Sequence, residues 1–253
     1  MKISTICISK NCEDLVDETI KSFAKQNLLE KEIIFIDNLS NDGTVRQIKN
    51  SCKKYNVRDY LLISESDKGI SDAMNKGWLL AKGDIINFLH FGDCYASNKV
   101  FVEVSTSYKK IKFDIFSGGA IYNYSTQKSF LSFPKNIDKI YFSNTFPHMS
   151  VFIKTSLRNQ IGLYDTSLSM VMDYDLWFRA YIANKKFCYS KKILVNLKSA
   201  GESSKYLAVL NDFIKCKFKH LCLSNSVFER FKIFNSFFVI LIKVLGYAIK
   251  SKL

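Results

Sequence analysis

The fold is decided by residues 32–44, which read Glu-Ile-Ile-Phe-Ile-Asp-Asn-Leu-Ser-Asn-Asp-Gly-Thr. The apolar first half of this stretch predicts a buried strand that ends at Asp37. The Asn-Asp-Gly-Thr sequence predicts a turn and the start of a helix, which continues with Val45, Ile48 and Cys52 on one face. A strand that ends in a carboxylate and passes directly into a helix is typical of a parallel α/β sheet.

The same alternation continues on both sides of this stretch. Strands are predicted at residues 3–9, 60–64 and 84–89, and helices at residues 14–27 and 69–81. We therefore expect an α/β fold with a Rossmann-like, mostly parallel sheet flanked by helices. No Pro- or Gly-rich linker divides the chain, so residues 1–205 are interpreted as one catalytic-size domain and residues 206–253 as a helical tail.

The composition favours a folded protein from a reducing compartment. Hydrophobic residues make up 47% of the 253 residues, enough for a large core. The seven cysteines are odd in number and none shows CxxC spacing, which fits free thiols in the cytosol and disfavours a structural zinc site. The N-terminus has no long apolar stretch of the kind found in signal peptides. These features predict a cytoplasmic location.

Polar side chains follow the predicted strands at the points where the strands end. They are Ser9 and Asn11, Asp37 and Asn38, Glu65 and Asp67, and the residues from His90 to Asp93. In open parallel sheets ligands bind beyond the carboxyl ends of the strands. Each aspartate alone could be a turn former or helix cap, and we interpret Asp42 in that way. Carboxylates repel one another, so Asp37, Asp67 and Asp93 together predict a cation or a ligand rich in donors.

At these positions the sequence resembles the family 2 glycosyltransferases of the GT-A type, which transfer a sugar from a nucleotide diphosphate. The resemblance covers about residues 1–205 and is carried by an ordered set of motifs. The motifs are Thr5–Asn11 (TICISKN), Asp37–Thr44 (DNLSNDGT), Glu65–Gly77 (ESDKGISDAMNKG), Gly83–Asp93 (GDIINFLHFGD), Phe146–His148 (FPH), Gly162–Asp165 (GLYD), Asp173–Arg179 (DYDLWFR) and Gly201–Ser204 (GESS).

The resemblance implies that the nucleotide is bound by residues from the first four strand ends. It assigns Asp37 to the base or ribose, and Asp67 as a second carboxylate that contacts the nucleotide. Ser9 and Asn11 would line the same site, and Asn75 would face the phosphates. The neighbouring Lys76 is open to two interpretations, a phosphate contact or a solvated surface charge.

Asp93 matches the last aspartate of the family's D-x-D metal motif. The resemblance implies that Mn²⁺ or Mg²⁺ joins this carboxylate to the diphosphate, since both are hard cations that prefer oxygen ligands. This chain departs from the motif, because Phe91-Gly92-Asp93 lacks the first carboxylate. We therefore expect weaker metal affinity or an additional ligand.

Asp173 matches the catalytic base, the group that takes the proton from an acceptor hydroxyl. Family 2 members invert the anomeric configuration, as a single direct displacement requires. An alternative role for Asp173 is to cap a helix. Asp175, two residues further along a helix, would point away from Asp173, so only one of them can be the base; Asp175 and His148 are assigned to the acceptor side. His148 could instead be a buried histidine with a purely structural role.

The C-terminal tail is predicted to lie on a membrane surface. Residues 182–253 hold 14 Lys and Arg but only 3 Asp and Glu. On a helix over residues 227–250, Lys232, Ser236, Lys243 and Lys250 share one side while phenylalanines and aliphatic residues occupy the other. The apolar run is too short to span a bilayer. Packing on the catalytic domain, or in a dimer interface, is the alternative.

These expectations combine into a membrane-associated transferase. A nucleotide-diphospho-sugar, with UDP favoured by family frequency, would be the donor, and a glycan or polyprenyl-linked glycolipid would be the acceptor in bacterial O-antigen or capsule synthesis. The missing metal carboxylate keeps open a degenerate binding module. A nucleotidyltransferase is disfavoured because residues 9–15 contain no Gly-rich phosphate loop. Nucleic acid is not an expected partner, because the basic residues surround an apolar helix and not a stacking surface.

Overall fold

The computed structural model describes residues 1–125, 128–142, 144–198, 206–223, 226–227 and 230–237. Strands and helices alternate over the first half, and a mixed second half follows. The strands are β1 (Ile3–Ser9), β2 (Lys31–Asp37), β3 (Tyr60–Ser64), β4 (Ile85–Phe88), β5 (Cys94–Tyr95), β6 (Ile115–Ser125), β7 (Lys128–Ser132), β8 (Val151–Lys154) and β9 (Phe187–Leu197). The helices are α1 (Val16–Ala24), α2 (Thr44–Lys54), α3 (Ile70–Leu80), α4 (Val100–Ile111), α5 (Arg158–Ile161), α6 (Met172–Ile182) and α7 (Tyr206–Leu223).

One sheet with the strand order β3-β2-β1-β4-β8-β6-β9-β5 runs through the molecule, and β7 adds to β6. Strands β3, β2, β1 and β4 are parallel, and β8 runs antiparallel to β4 and β6. The chain leaves β1 toward β2 and β3, then returns to place β4 on the other side of β1. Beyond the strand ends, this reversal between β1 and β4 opens the crevice where α/β sheets bind ligands. The expected α/β fold is confirmed.

The sheet is buried because helices cover both of its faces. Every residue from Glu32 to Asp37 is buried, as a near-continuous apolar run in a central parallel strand predicts. Helix α3 approaches β1 closely at Gly77, where an added Cβ would lie 2.3 Å from Ile6 Cγ2. A residue larger than glycine at this position would push the helix off the sheet.

Helix α7 packs against the catalytic domain instead of standing apart as a tail. Its polar side chains Asp212, Lys217 and His220 are 5% exposed or less, and all three contact residues outside α7. The packed body therefore extends beyond the boundary expected at residue 205. Within the described residues, no helix is long and apolar enough to cross a membrane.

Most of the predicted membrane segment, residues 227–250, lies outside the described residues, as does the Gly201–Ser204 motif. Residues 230–237 are helical, and the phenylalanines Phe231 and Phe234 are 62% and 52% exposed. Ile233 and Ser236 are buried, and the Lys232 ammonium lies 5.5 Å from the centre of the Tyr141 ring. This turn of helix therefore packs one face on the protein and exposes phenylalanines on the other.

Candidate active site

A pocket of about 440 Å³ opens at the carboxyl ends of β1 and β4, where the strand order reverses. Its size falls within the range of small-molecule sites, about 300–1,000 Å³. The lining comes from the four predicted strand ends and the start of α3. It consists of Ile8, Ser9, Lys10, Cys12, Asn38, Asp67, Gly69, Ile70, Ala73, His90 and Phe91.

Asp37 lies behind this pocket and organises the loop that forms its wall. The carboxylate is fully buried and accepts hydrogen bonds from the hydroxyls of Ser9, Ser40 and Ser64 and from the Ser40 backbone N–H. Burial alone would raise its pKa, but these four hydrogen bonds outweigh burial and hold the pKa below its ordinary value. Asp37 is therefore ionised and saturated with protein donors.

Asn38 and Asp67 line the pocket next to Asp37 and are bonded to each other. The Asn38 amide donates to Asp67 Oδ1 at 3.1 Å, and the same oxygen accepts from the Gly69 N–H at 2.8 Å. These two bonds hold the Asp67 side chain in place, and its second oxygen, Oδ2, takes part in neither of them. Asn38 received no role from the sequence, although it directly follows a strand end, which was the signal used for its neighbours.

Two further residues assigned to the nucleotide bind the protein instead. The Asn75 amide donates to the Tyr164 carbonyl and accepts from the Tyr164 N–H, both at 2.9 Å. Asn11 accepts from the Asn41 N–H at 2.9 Å and does not line the pocket. Both side chains hold loops in place: both groups of the Asn75 amide bond the Tyr164 backbone, and the Asn11 side-chain oxygen bonds the Asn41 backbone. Lys76 pairs with Glu65 at 2.8 Å, which agrees with a surface charge.

Asp93 follows a tight turn after β4, at the edge of the pocket. The Asp93 N–H donates to the His90 carbonyl at 3.0 Å, and Gly92 within the turn has a φ of +94°, which favours glycine. The carboxylate accepts one hydrogen bond, from the Lys198 N–H at 3.1 Å. Burial raises its pKa to about 7. An oxygen ligand that burial makes difficult to ionise would be stabilised by a cation, so this side chain fits a Mg²⁺ or Mn²⁺ ligand.

Asp173 is the second residue of α6. The helix begins at Met172, so Asp173 lies inside the first turn and is not the cap. Its two oxygens accept from the Asn144 amide and from the Tyr174 N–H, each at 2.7 Å. Burial raises the pKa of this carboxyl, and the Asn144 hydrogen bond opposes that rise. A partly exposed carboxylate with a raised pKa is suited to accept a proton.

The acceptor-side assignment of Asp175 is corrected by the structure. This side chain is fully buried on the side of α6 that faces α7, where it pairs with Arg179 at 2.8 Å, Lys219 at 3.2 Å and His220 at 2.9 Å. Burial would raise its pKa, but these partners hold the pKa well below its ordinary value. Asp175 joins α6 to α7 and cannot reach an acceptor.

His148 lies in an aromatic cluster with Phe88, Tyr164 and Trp177. Its Nε2 is 3.0 Å from the Tyr164 hydroxyl, and its ring packs against Phe88 and Trp177. Burial lowers its pKa to about 4, so the ring is neutral near pH 7. Burial and the nearby His148 also lower the pKa of His90 to about 4. His90 Nδ1 is buried without a hydrogen-bond partner among the described residues, a feature that no sequence pattern indicates.

The predicted cluster of rim carboxylates does not form a ready-made cation cage. Among the described residues, three His, Cys, Asp or Glu ligand atoms within 4.8 Å of one another occur once, at Asp175, Cys216 and His220. There Arg179 and Lys219 already balance the carboxylate, and burial raises the pKa of the Cys216 thiol and keeps it protonated. A metal ion is disfavoured at that place.

The fold matches that of solved glycosyltransferases of the GT-A type. The structure of S. aureus TarS 1–349 in complex with UDP-GlcNAc superimposes with a TM-score of 0.69 at 19% identity, covering 92% of this chain and 69% of that one. The mannosyltransferase PcManGT of Pyrobaculum calidifontis, solved with GDP-Man and Mn²⁺, gives a TM-score of 0.70 at 12% identity, covering 89% of this chain and 65% of that one.

The chain belongs to glycosyl transferase family 2, whose model matches residues 4–158. One relative is a Bacillus subtilis protein described as a putative teichuronic acid biosynthesis glycosyltransferase, TuaG. It is 31% identical over 98 residues, which make up 39% of this chain and 38% of that protein. The chain spans less than two fifths of the length of the Bacillus subtilis relatives it matches. The expected family and enzyme class are thereby confirmed.

Proposed function

We propose that this protein transfers a sugar from a nucleotide diphosphate, with UDP preferred, onto a hydroxyl of a glycan or polyprenyl-linked glycolipid, with inversion at the anomeric carbon. The observation that carries the proposal is the pair of unlike carboxylates at one side of the sheet. Asp67 is held ready for hydrogen bonding in a pocket of nucleotide size, and Asp173 has a pKa that burial raises. A donor pocket and a separate base are what a direct displacement requires.

In this proposal Asn38 and Asp67 hydrogen-bond the base or ribose. The free Asp67 oxygen accepts N–H or O–H groups, and the Asn38 carbonyl, 3.4 Å from the Asp67 N–H, orients the pair. Asp37 supports them from behind, by fixing Ser40 and the strand ends. Ser9 contributes through its place in the pocket lining while its hydroxyl stays on Asp37.

Asp93 would hold the divalent cation, Mn²⁺ or Mg²⁺. Such an ion, when bound, stabilises the negative charge that grows on the diphosphate leaving group. Support comes from the chemistry of the side chain, a buried oxygen ligand with one protein donor, and from the Mn²⁺ bound to the similar mannosyltransferase. With a single carboxylate, the remaining ligands would have to be diphosphate oxygens and water.

The base is Asp173, and Asn144 keeps it oriented. A carboxylate at the start of a helix is also favoured by the positive end of the helix dipole. On the acceptor side, Asp173 takes the hydroxyl proton as that oxygen attacks the anomeric carbon. His148 bonds Tyr164 at 3.0 Å, and because burial lowers the pKa of His148 to about 4, this pair adds no charge that competes with the base.

The acceptor is proposed to be a membrane-linked saccharide of a bacterial surface polysaccharide, such as O-antigen or capsule. The relative TuaG is described as a putative teichuronic acid biosynthesis glycosyltransferase. The exposed side chains of Phe231 and Phe234 could enter a bilayer interface. The enzyme would then work on the cytoplasmic face of the membrane. There it meets both a soluble nucleotide sugar and a lipid-linked acceptor.

Calorimetric titration with UDP, GDP and dTDP, with and without Mn²⁺, tests the proposal. We expect one nucleotide to bind in a metal-dependent manner, and Asn38→Ala to weaken that binding while the exposed control Asn27→Ala leaves it unchanged. Asp173→Asn should retain nucleotide binding and lose sugar transfer. Absence of binding by any nucleotide to folded protein would favour the degenerate module, and normal turnover by Asp173→Asn would remove the base assignment.

A further inference from the structure

A second cleft, of about 570 Å³, lies on the far side of the Gly92 turn from the donor pocket. One wall is the exposed face of α1, the floor is β5 with the residues that follow it, and the other wall is formed by β6 and the end of β9. The proposed transfer reaction assigns no role to this cleft.

The cleft collects amide side chains, and among the described residues one of their oxygens is buried without a hydrogen-bond partner. Asn98, Asn123 and Asn196 all line it, and Asn196 Oδ1 is buried and unpaired. Strands β6 and β9 are paired so that Ile121 lies opposite Asn196. Asn123, two residues after Ile121, lies on the same face as Asn196, because side chains alternate along a strand. Two amides from neighbouring strands therefore converge on one space.

The cleft is also basic. Lys21 on α1 and Lys25 directly after its end border the cleft, and neither ammonium has an ion-pair partner within the part of the chain that the structure describes. Lys198 borders it from β9, where its ammonium lies 3.5 Å from the Glu18 carboxylate. Three lysines against one glutamate leave an excess of two positive charges at the rim. Such an excess of positive charge attracts anions, and dissolved salt weakens this attraction by screening it.

The lining does not suit a nucleobase or a lipid tail. Its one aromatic ring belongs to Tyr95, which is 5% exposed and whose hydroxyl is already bonded to Thr5 and Asn87. A stacking surface is therefore missing from this cleft. Amides that both donate and accept, together with ammonium donors, match a ligand with many hydroxyls and a negative charge.

We propose that this cleft binds an acidic saccharide, a sugar unit that carries a carboxylate or phosphate group. The amides of Asn123 and Asn196 contact its hydroxyls, and Lys21 and Lys25 pair with its anionic group. The cleft borders the active site, because Lys198 lines it and also donates its N–H to Asp93. The saccharide is therefore assigned to the acceptor chain, a step that rests on the proposed function. The binding of an acidic saccharide to the cleft does not depend on the proposed function.

Calorimetry with hexagalacturonate and neutral maltohexaose tests the binding with the full chain. We expect saturable binding of hexagalacturonate and at least tenfold weaker binding of maltohexaose. The double variant Lys21→Gln/Lys25→Gln should weaken hexagalacturonate binding about tenfold, as the loss of two exposed charge pairs predicts. Asn123→Ala should weaken both ligands. The matched control Lys49→Gln/Lys53→Gln removes the same charge from α2, and we expect less than a twofold change.

Three results would overturn the proposal: no saturable binding, equal losses in the cleft variant and the α2 control, or binding that the cleft variants leave unchanged. A UDP titration of every variant separates this outcome from the fate of the proposed transfer reaction. Cleft variants that bind UDP normally are folded and retain the donor pocket. Failure of the wild-type protein to bind UDP would count against the proposed transferase site. The saccharide titration would still test whether the cleft binds an acidic saccharide.

Discussion

Substituting Asp212 by alanine should damage catalysis more than donor binding, although Asp212 lies on α7, outside the stretch that the family model matches. Asp212 Oδ2 accepts hydrogen bonds from the Ser169 N–H at 2.7 Å, the Ser169 hydroxyl at 3.0 Å and the Met170 N–H at 2.8 Å. These two residues lie three and two positions before Met172, where α6 starts. Asp212 therefore fixes the segment that carries the proposed base, Asp173.

The magnitude follows from the number and exposure of these hydrogen bonds. A hydrogen bond to a charged group contributes about 1.5–3 kcal/mol when buried, but Ser169 is exposed and water can replace part of the loss. We expect the free energy of unfolding to fall by about 2 kcal/mol, which lowers Tm by about 4–8 °C in a chain of this size. A displacement of about 1 Å at the base can reduce kcat up to about 100-fold.

The assay measures nucleotide release and transfer against donor concentration at a temperature where the variant is folded. We expect kcat to fall at least tenfold while the donor Kd changes less than twofold, because residues of β1–β4 and the start of α3 form the donor pocket. The control Asn211→Ala lies next to Asp212 on the exposed face of α7. A variant that loses stability but retains kcat would show that α7 supports the fold alone.

Four further predictions concern the site and the tail. Asn144→Ala removes the hydrogen bond that opposes the raised pKa of Asp173, so the acidic limb of the kcat/KM profile should move to higher pH; an unmoved limb contradicts the base assignment. Asp93→Ala should abolish the metal dependence of nucleotide binding in calorimetry, whereas the exposed control Asp14→Ala should not. Asn75→Ala should lower kcat and spare the donor Kd, since the amide holds Tyr164; a selective loss of donor affinity would restore it to the nucleotide site. Phe231→Asp, like deletion of residues 227–253, should reduce sedimentation with anionic vesicles, and unchanged sedimentation would refute the membrane contact.

The first ninety residues could be predicted well because their signals are local. Each strand is a compact apolar run, and α2 and α3 each start directly after a glycine, so the bounds of β1 and β3 agree with the prediction. Residues 114–150 could not be interpreted. There β6 pairs with β9, more than seventy residues away, and such a contact leaves no periodic pattern in the sequence.

The difference between local signals and distant contacts also explains which site residues could be predicted from the sequence and which could not. The position after a strand end is local, and it correctly indicated Asp67 as a residue of the pocket. Whether a polar side chain is free for a ligand depends on its partners, and these come from distant segments. Asp175 pairs with Lys219 and His220, more than forty positions away, as well as with Arg179 on its own helix, and Asn75 is bonded to the Tyr164 backbone. A motif match does not contain that information.

These partner contacts also show how the donor pocket and the base are joined. Helix α3, which begins at the pocket, holds the loop before α6 through two side chains: Asn75 bonds Tyr164, and the Ser71 hydroxyl donates to the Leu168 carbonyl at 3.1 Å. Helix α7 holds the next residues of the same loop through Asp212. The segment that leads to Asp173 is thus fixed from the nucleotide side and from the α7 side. Because one loop depends on both helices, we expect α3 and α7 together to set the distance between the pocket and Asp173, the proposed base, so that residues beyond the family motifs contribute to catalysis.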